Sequence, residues 1–360
     1  MRIPGRTFVA ALAILVLLAG CGRPDLEATP AVHTTRAASP LAGSPTPLPV
    51  QESAAASLSA DEIGTLSSLV QVDDYPLYVM HYRGSYRQRA SAKVVPGSPA
   101  WGCSLFAALG NAEDRLYGRN FDWDFGPALL LFVDPPDGYA SVSMVDIAYL
   151  GFGGSSAHGL TGLPLEDRKA LLDAPFLPFD GMNEHGLAVG MAAVPAGDMR
   201  PDPSKETIGS LGVIRHMLDR ARNVDEALTI LQSYNVDMEG GPPIHYLVAD
   251  PSGRSLLIEF YQGEIVVTPN EVAWHQATNF MRAAAGDTPQ GRCWRYDKIQ
   301  QHLAANQGRL TNREALDLLA GVAQPATQWS IVYGMSSGDI QMTVGRQYEA
   351  PHTFHLDLSQ

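Results

Sequence analysis

The chain has 360 residues, 45% of them hydrophobic, with 34 glycines and 26 prolines, which is room for one large domain with appendages. A formal net charge of −13, from 38 acidic against 25 basic residues and with no basic cluster, argues against nucleic acid as a partner. The 3 cysteines include no Cys-x-x-Cys and the 10 histidines no His-x-x-x-His, so neither a metal nor a cofactor is expected.

Residues 1–20 read as a targeting segment. Arg2 and Arg6 supply a positive start, and residues 8–18 are apolar but too short to span a bilayer. Leu18-Ala19-Gly20-Cys21 resembles a bacterial lipobox. That resemblance implies that Cys21 becomes the lipidated first residue of an extracytoplasmic, membrane-anchored protein. Residues 21–58 form a Pro/Ala/Ser-rich linker with too few large apolar side chains for a core. A structured segment over 59–102 follows. Ser59-Ala60-Asp61-Glu62 starts a helix whose apolar face is Ile63, Leu66, Leu69 and Val70. Residues 75–82 read as a strand, and 84–100 as a loop.

The most informative stretch is Trp101-Gly102-Cys103-Ser104-Leu105-Phe106-Ala107. A polar turn over 110–114 and a returning strand ending in Gly118-Arg119-Asn120-Phe121-Asp122-Trp123 complete it. Such a hairpin brings Cys103 beside Arg119 and Asp122. A lone strand cysteine is commonly a small core hydrophobe, but a thiol next to a guanidinium is set up as a nucleophile. Gly-Cys-Ser followed by Gly-Arg-Asn-Phe-Asp-Trp resembles the cysteine members of the N-terminal nucleophile hydrolases. Among these are choloylglycine hydrolases, penicillin V acylases, acid ceramidase-like amidases and isopenicillin N acyltransferases.

Further along, residues 128–133 and 140–147 read as strands, and the glycine-rich 151–162 stretch as a loop without phosphate-loop spacing. Asp180-Gly181-Met182-Asn183-Glu184-His185-Gly186-Leu187 resembles a string of the choloylglycine hydrolase-like proteins, with Glu184 and His185 read as turn residues. In many members an asparagine ten residues after the turn asparagine helps form the oxyanion hole. Ala193 stands there in this chain, a departure from the pattern that bears on the substrate subclass and that a backbone N–H could offset. Residues 209–234 are helical and cover one face of a sheet. Residues 244–250 and 255–260 form a hairpin, with further strands over 264–268 and 274–280.

Thr278-Asn279 matches the family, and the resemblance implies that Asn279 donates its side-chain amide to the oxyanion. It also implies an arginine near the nucleophile, with Arg292 the better match and Arg295 second. A disulfide between Cys103 and Cys293 stays open in an exported protein. Thr311 to Glu314 carries a capping pattern for a last helix, and residues 328–333 and 339–344 form a closing hairpin. Gly334-Met335-Ser336-Ser337-Gly338 has the spacing of a serine elbow. It falls in the turn of that hairpin and reads as turn chemistry.

The resemblance implies a four-layer αββα sandwich of α+β class, with two mainly antiparallel sheets and a catalytic domain over 103–360. It implies that Cys103 cuts the Gly102–Cys103 bond, leaving 59–102 as a separate small chain. The freed α-amine, of reference pKa about 7.7–8.0, then serves as its own base, with Asp122 orienting it and Arg119 keeping the sulfur ionised. The substrate implied is a small N-acyl amide cut through a thioester. Acyl transfer on the same fold and a non-catalytic ligand-binding lipoprotein are the alternatives.

Overall fold

The computed structural model describes residues 58–86, 102–238 and 240–359. The expected targeting segment, Cys21, the linker to residue 57 and most of the 84–100 loop lie outside the described residues. Ser59 opens α1 (Ala60–Ser67) with a reciprocal cap: its hydroxyl accepts from the Glu62 N–H, and the Glu62 carboxylate accepts from the Ser59 N–H. The helix is shorter than its expected apolar face. Ile63 is 43% exposed, and Val70 instead begins β1 (Val70–Asp73), which turns back into β2 (Leu77–Tyr82).

The expected central hairpin forms from β3 (Gly102–Ala108) and β4 (Leu116–Asp122), paired from Gly102 opposite Asp122 to Ala108 opposite Leu116. After β5 (Ala128–Val133) and β6 (Ser141–Asp146) the chain passes through short 3-10 turns, where the glycine-rich stretch lies. It returns as β7 (Asp180–Asn183) and β8 (Ala188–Ala193). β9 (Thr207–Gly209) leads into α2 (Ser210–Arg220) and α3 (Val224–Gln232), and β10 (Asn235–Asp237) pairs with β9.

Four strands follow: β11 (Ile244–Ala249), β12 (Ser255–Tyr261), β13 (Glu264–Pro269) and β14 (Trp274–Thr278). The short α4 (Arg282–Ala285) precedes α5 (Trp294–Ala305) and α6 (Asn312–Gly321), the last capped by Thr311 and Glu314 as expected. β15 (Thr327–Gly334) and β16 (Asp339–Val344) close the chain with β17 (His352–His355), a strand the sequence pattern did not announce. The Gly334–Gly338 string is the β15–β16 turn, with Gly338 at φ +83°.

The strands assemble into a nine-stranded sheet, ordered β1-β2-β5-β6-β7-β8-β11-β12-β13, and a six-stranded sheet, ordered β14-β3-β4-β15-β16-β17. Side-chain alternation on β3 shows why they stack. Phe106 and Ala108 point outward to Ile299 and Leu303 of α5 and Leu316 and Leu319 of α6. Leu105 and Ala107 join the main core with the nine-stranded sheet, whose other face is covered by α2 and α3. The sheets approach so closely at β8 that a Cβ on Gly190 would lie 2.9 Å from both Leu105 Cδ2 and Tyr117 Oη. The result is the αββα sandwich of mainly antiparallel sheets that the resemblance implied.

The N-terminal segment is woven into this frame. β2 pairs in parallel with β5 from Leu77 opposite Ala128 to Tyr82 opposite Val133. Buried Tyr86 donates its hydroxyl to Asp219 of α2 at 2.5 Å.

Candidate active site

Cys103 is the second residue of β3, on the same side as Leu105 and Ala107, and is 3% exposed. The hairpin register sets its neighbours. Phe121 is its cross-strand partner, and Arg119, opposite Leu105, reaches its sulfur with Nη2 at 3.1 Å. The same guanidinium is held from the other sheet. Its Nη1 donates to the Phe179 carbonyl at 2.9 Å and to Asp180 Oδ2 at 3.0 Å, with both side chains fully buried. Asp180 in turn accepts from Trp329 Nε1 at 3.2 Å and Tyr333 Oη at 2.5 Å. The sequence singled out the string that begins with Asp180 but gave this carboxylate no role. It anchors the arginine that faces the sulfur.

β14 runs antiparallel to β3, with Thr278 opposite Ser104, so Asn279 leaves the strand level with Cys103. Asn279 Oδ1 accepts the Cys103 N–H at 2.7 Å and Arg295 Nη2 at 2.6 Å. Two donors on one atom fix it as the oxygen of the amide. The nitrogen, Nδ2, therefore points to the Ala193 carbonyl, 2.7 Å away. Ala193 thus meets Asn279 through its carbonyl oxygen. One hydrogen of Nδ2 is engaged there, and an amide nitrogen carries a second.

The expected supporting arginine is displaced by one helical turn. Arg292 is exposed in the loop before α5, and its backbone N–H bonds Pro289. Arg295, in the first turn of α5, is fully buried and occupies the site. Its Nη1 donates to the Cys103 carbonyl at 2.7 Å and to Asp122 Oδ2 at 3.2 Å. Cys293 is the N-cap of α5 and points that turn inward, so the buried position falls two residues after the cysteine, not one before it. Cys103 and Cys293 are both free thiols, so the disulfide left open by the sequence is not formed.

Asp122 ends β4 opposite Gly102 and is 1% exposed. Besides Arg295 it accepts from the Thr327 hydroxyl on Oδ1 and from Gln324 Nε2 on Oδ2 at 2.6 Å. Burial pushes its carboxyl up, opposed by Arg295, Thr327, Gln324 and Arg119. Burial also pushes the Cys103 thiol up. Arg119, the Asp122 backbone N–H and Arg295 pull the other way, and the Asp122 charge adds to the rise. In the uncut chain the net direction is upward, burial outweighing Arg119.

The sulfur opens on an apolar cleft whose walls include Phe121, Trp123, Tyr149, Phe179, Met191 and Leu211. No charged side chain lines it. A larger groove, bounded by Val70, His81, Phe132 and Phe354, contains no serine, threonine or cysteine and lies apart from this constellation. Among the described residues no group of three His, Cys, Asp or Glu is placed to hold a metal ion.

Residues 178–337 match the family model described as acyl-coenzyme A:6-aminopenicillanic acid acyl-transferase. That span holds Asp180, Ala193, Asn279 and Arg295 but not the Cys103 hairpin. An uncharacterized protein of Paramecium bursaria Chlorella virus 1 is 35% identical over 100 residues, 25% of this chain. The chain spans 36% of the length of that curated relative. Among solved structures, a mutant conjugated bile acid hydrolase from Clostridium perfringens superposes with a TM-score of 0.51 at 14% identity, covering 71% of this chain and 92% of its own. Penicillin V acylase from Agrobacterium tumefaciens aligns with a TM-score of 0.49 at 17% identity, covering 72% and 88%. The two-sheet sandwich and the bile acid hydrolase superposition show an N-terminal nucleophile hydrolase-like fold, and residues 178–337 are similar to the acyl-transferase family model.

Proposed function

We propose that the chain cuts its own Gly102–Cys103 bond and then hydrolyses small N-acyl amides with Cys103 as nucleophile. The observation that carries this reading is the convergence on one residue: Arg119 on the Cys103 sulfur, Asn279 on its nitrogen and Arg295 on its carbonyl oxygen. Every polar atom of the prospective N-terminal residue has a fixed partner. Such preorganisation is what amide attack requires.

In self-cleavage the sulfur attacks the Gly102 carbonyl, the C–N bond breaks as the nitrogen takes the proton, and water hydrolyses the resulting thioester. The freed α-amine, with a reference pKa of about 7.7–8.0, stays on Asn279 Oδ1 and takes the thiol proton during attack on the substrate. Asp122 keeps it oriented. The second N–H of Asn279, with a backbone N–H beside Ala193, holds the developing oxyanion. The substrate's acyl group enters the apolar cleft, the amine leaves with the returned proton, and water frees the acid.

Intact mass of the chain beside its Cys103→Ala variant tests this. Two fragments meeting between Gly102 and Cys103 in the parent, and one chain in the variant, are expected. One uncut chain in both overturns self-cleavage and removes the amine base. The match to an acyl-transferase family model favours a second reading, transfer of the acyl group to another amine. Product analysis with an added acceptor amine separates the two. The Leu18–Cys21 string supports a lipid anchor at Cys21 on the outer side of a bacterial membrane. Fatty-acid labelling that is lost in Cys21→Ser is the expected result.

A further inference from the structure

Asp122 is gripped by one short turn. Gln324 and Thr327 are its first and fourth residues, locked together by the Gln324 N–H on Thr327 Oγ1 at 2.8 Å and the Thr327 N–H on the Gln324 carbonyl at 3.0 Å. The turn thereby presents an amide and a hydroxyl to the two oxygens of a single buried carboxylate. The Gln324 amide also covers the residue before the nucleophile. A Cβ on Gly102 would overlap Gln324 Nε2, whereas its next neighbours, Asp122 Oδ2 and Cβ, would lie at an ordinary 3.4 and 3.5 Å. One side-chain end thus touches both Asp122 and the glycine whose bond would be cut.

We infer that Gln324 is a positioning residue for self-cleavage, and that it is what restricts the residue before Cys103 to glycine. This rests on the reading that the Gly102–Cys103 bond is cut. A methyl at position 102 does not meet an immovable wall, because the far end of a glutamine can swing away. Swinging away takes Nε2 off Asp122 Oδ2, so the glycine requirement and the grip on Asp122 are one interaction. Residues coupled through a shared partner give non-additive effects, whereas independent ones multiply in rate.

The test measures the first-order rate of self-cleavage, by intact mass, in the full chain. The variants are Gly102→Ala, Gln324→Ala and the pair together, with Cys103→Ala as the uncleavable control. Each single change is expected to slow cleavage by about tenfold, and the double change by about tenfold as well, rather than the hundredfold of independent sites. Gln324→Met keeps the bulk and removes the donor. It is expected to slow cleavage alone and to restore a further penalty when Gly102→Ala is added, a result that general loosening of the fold would not give. Stability of each variant in the Cys103→Ala background identifies any that fails to fold, and Gln324→Met then carries the comparison. Multiplicative single effects, or normal cleavage in both Gln324→Ala and Gln324→Met, overturn the inference while leaving self-cleavage standing. A parent as uncut as Cys103→Ala overturns self-cleavage itself and this inference with it.

Discussion

At the scale of single residues, the site is a set of buried charges that hold one another in place. Arg119 is balanced by Asp180 and Arg295 by Asp122, each pair almost wholly out of water. Such pairs add little net stability, but removing one partner strands the other, at a cost of about 3–5 kcal/mol. Arg295→Ala is therefore expected to destabilise the uncleavable Cys103→Ala protein by that amount in urea and, in the parent, to stop cleavage. Arg292→Ala is expected to change stability by no more than ~0.5 kcal/mol and to cleave normally. Loss of cleavage in Arg292→Ala with retention in Arg295→Ala would exchange the roles of the two arginines. Strand spacing placed Cys103 beside Arg119 and Asp122, the family resemblance supplied Asn279, and the fold brings the four into one cluster. The sequence favoured Arg292, which lies outside the cluster that Arg295 joins, because both arginines lie within three residues of a helix start. Which of two such residues turns inward depends on where the first turn begins, and nothing local to the residues fixes that. Asp180 and Gln324 were beyond reach for another reason, since each contacts the site from a distant strand or turn.

At the scale of elements, the hairpins were the most legible part of the chain. Alternating apolar residues on either side of polar turns specify both the strands and their register. The closing β15–β16 turn was read correctly for the same reason. The end of α1 was not, because Leu69 and Val70 continue an apolar spacing that suits helix and strand alike. The 3-10 turns after β6 carry a further consequence. Asp146 caps the first of them by accepting the Ala148 N–H at 2.9 Å. Burial pushes its carboxyl up to about 7, opposed by that N–H and reinforced by the Asp124 charge. Between the unfolded value of 3.8 and about 7, the folded chain keeps a proton here that the unfolded chain has released. Stability therefore falls as pH rises through that window. Asp146→Asn keeps the capping oxygen without the charge. Urea titrations should show it close to the parent near pH 4 and more stable above pH 7, on the order of 2–4 kcal/mol. Parallel pH profiles for the two proteins would contradict this account.

At the scale of the whole molecule, the two-sheet architecture followed from the alternation of strand pairs and helices together with the family resemblance. The parallel pairing of β2 with β5 did not, since adjacent strands in sequence more often pair antiparallel through short turns. That pairing decides what a cut at Gly102–Cys103 would do. The segment carrying α1, β1 and β2 holds one end of the larger sheet and, through Tyr86, reaches α2. A cut would leave it seated and turn one polypeptide into a heterodimer whose halves share a core. Unfolding would then release two molecules in place of one, and recovery would become a second-order encounter. The cleaved protein should accordingly melt at a temperature that rises with its concentration, while Cys103→Ala melts at a fixed one. On dilution after denaturation, the mature form would lose its partner, and a single covalent event early in its life would have made folding a step it could not readily repeat.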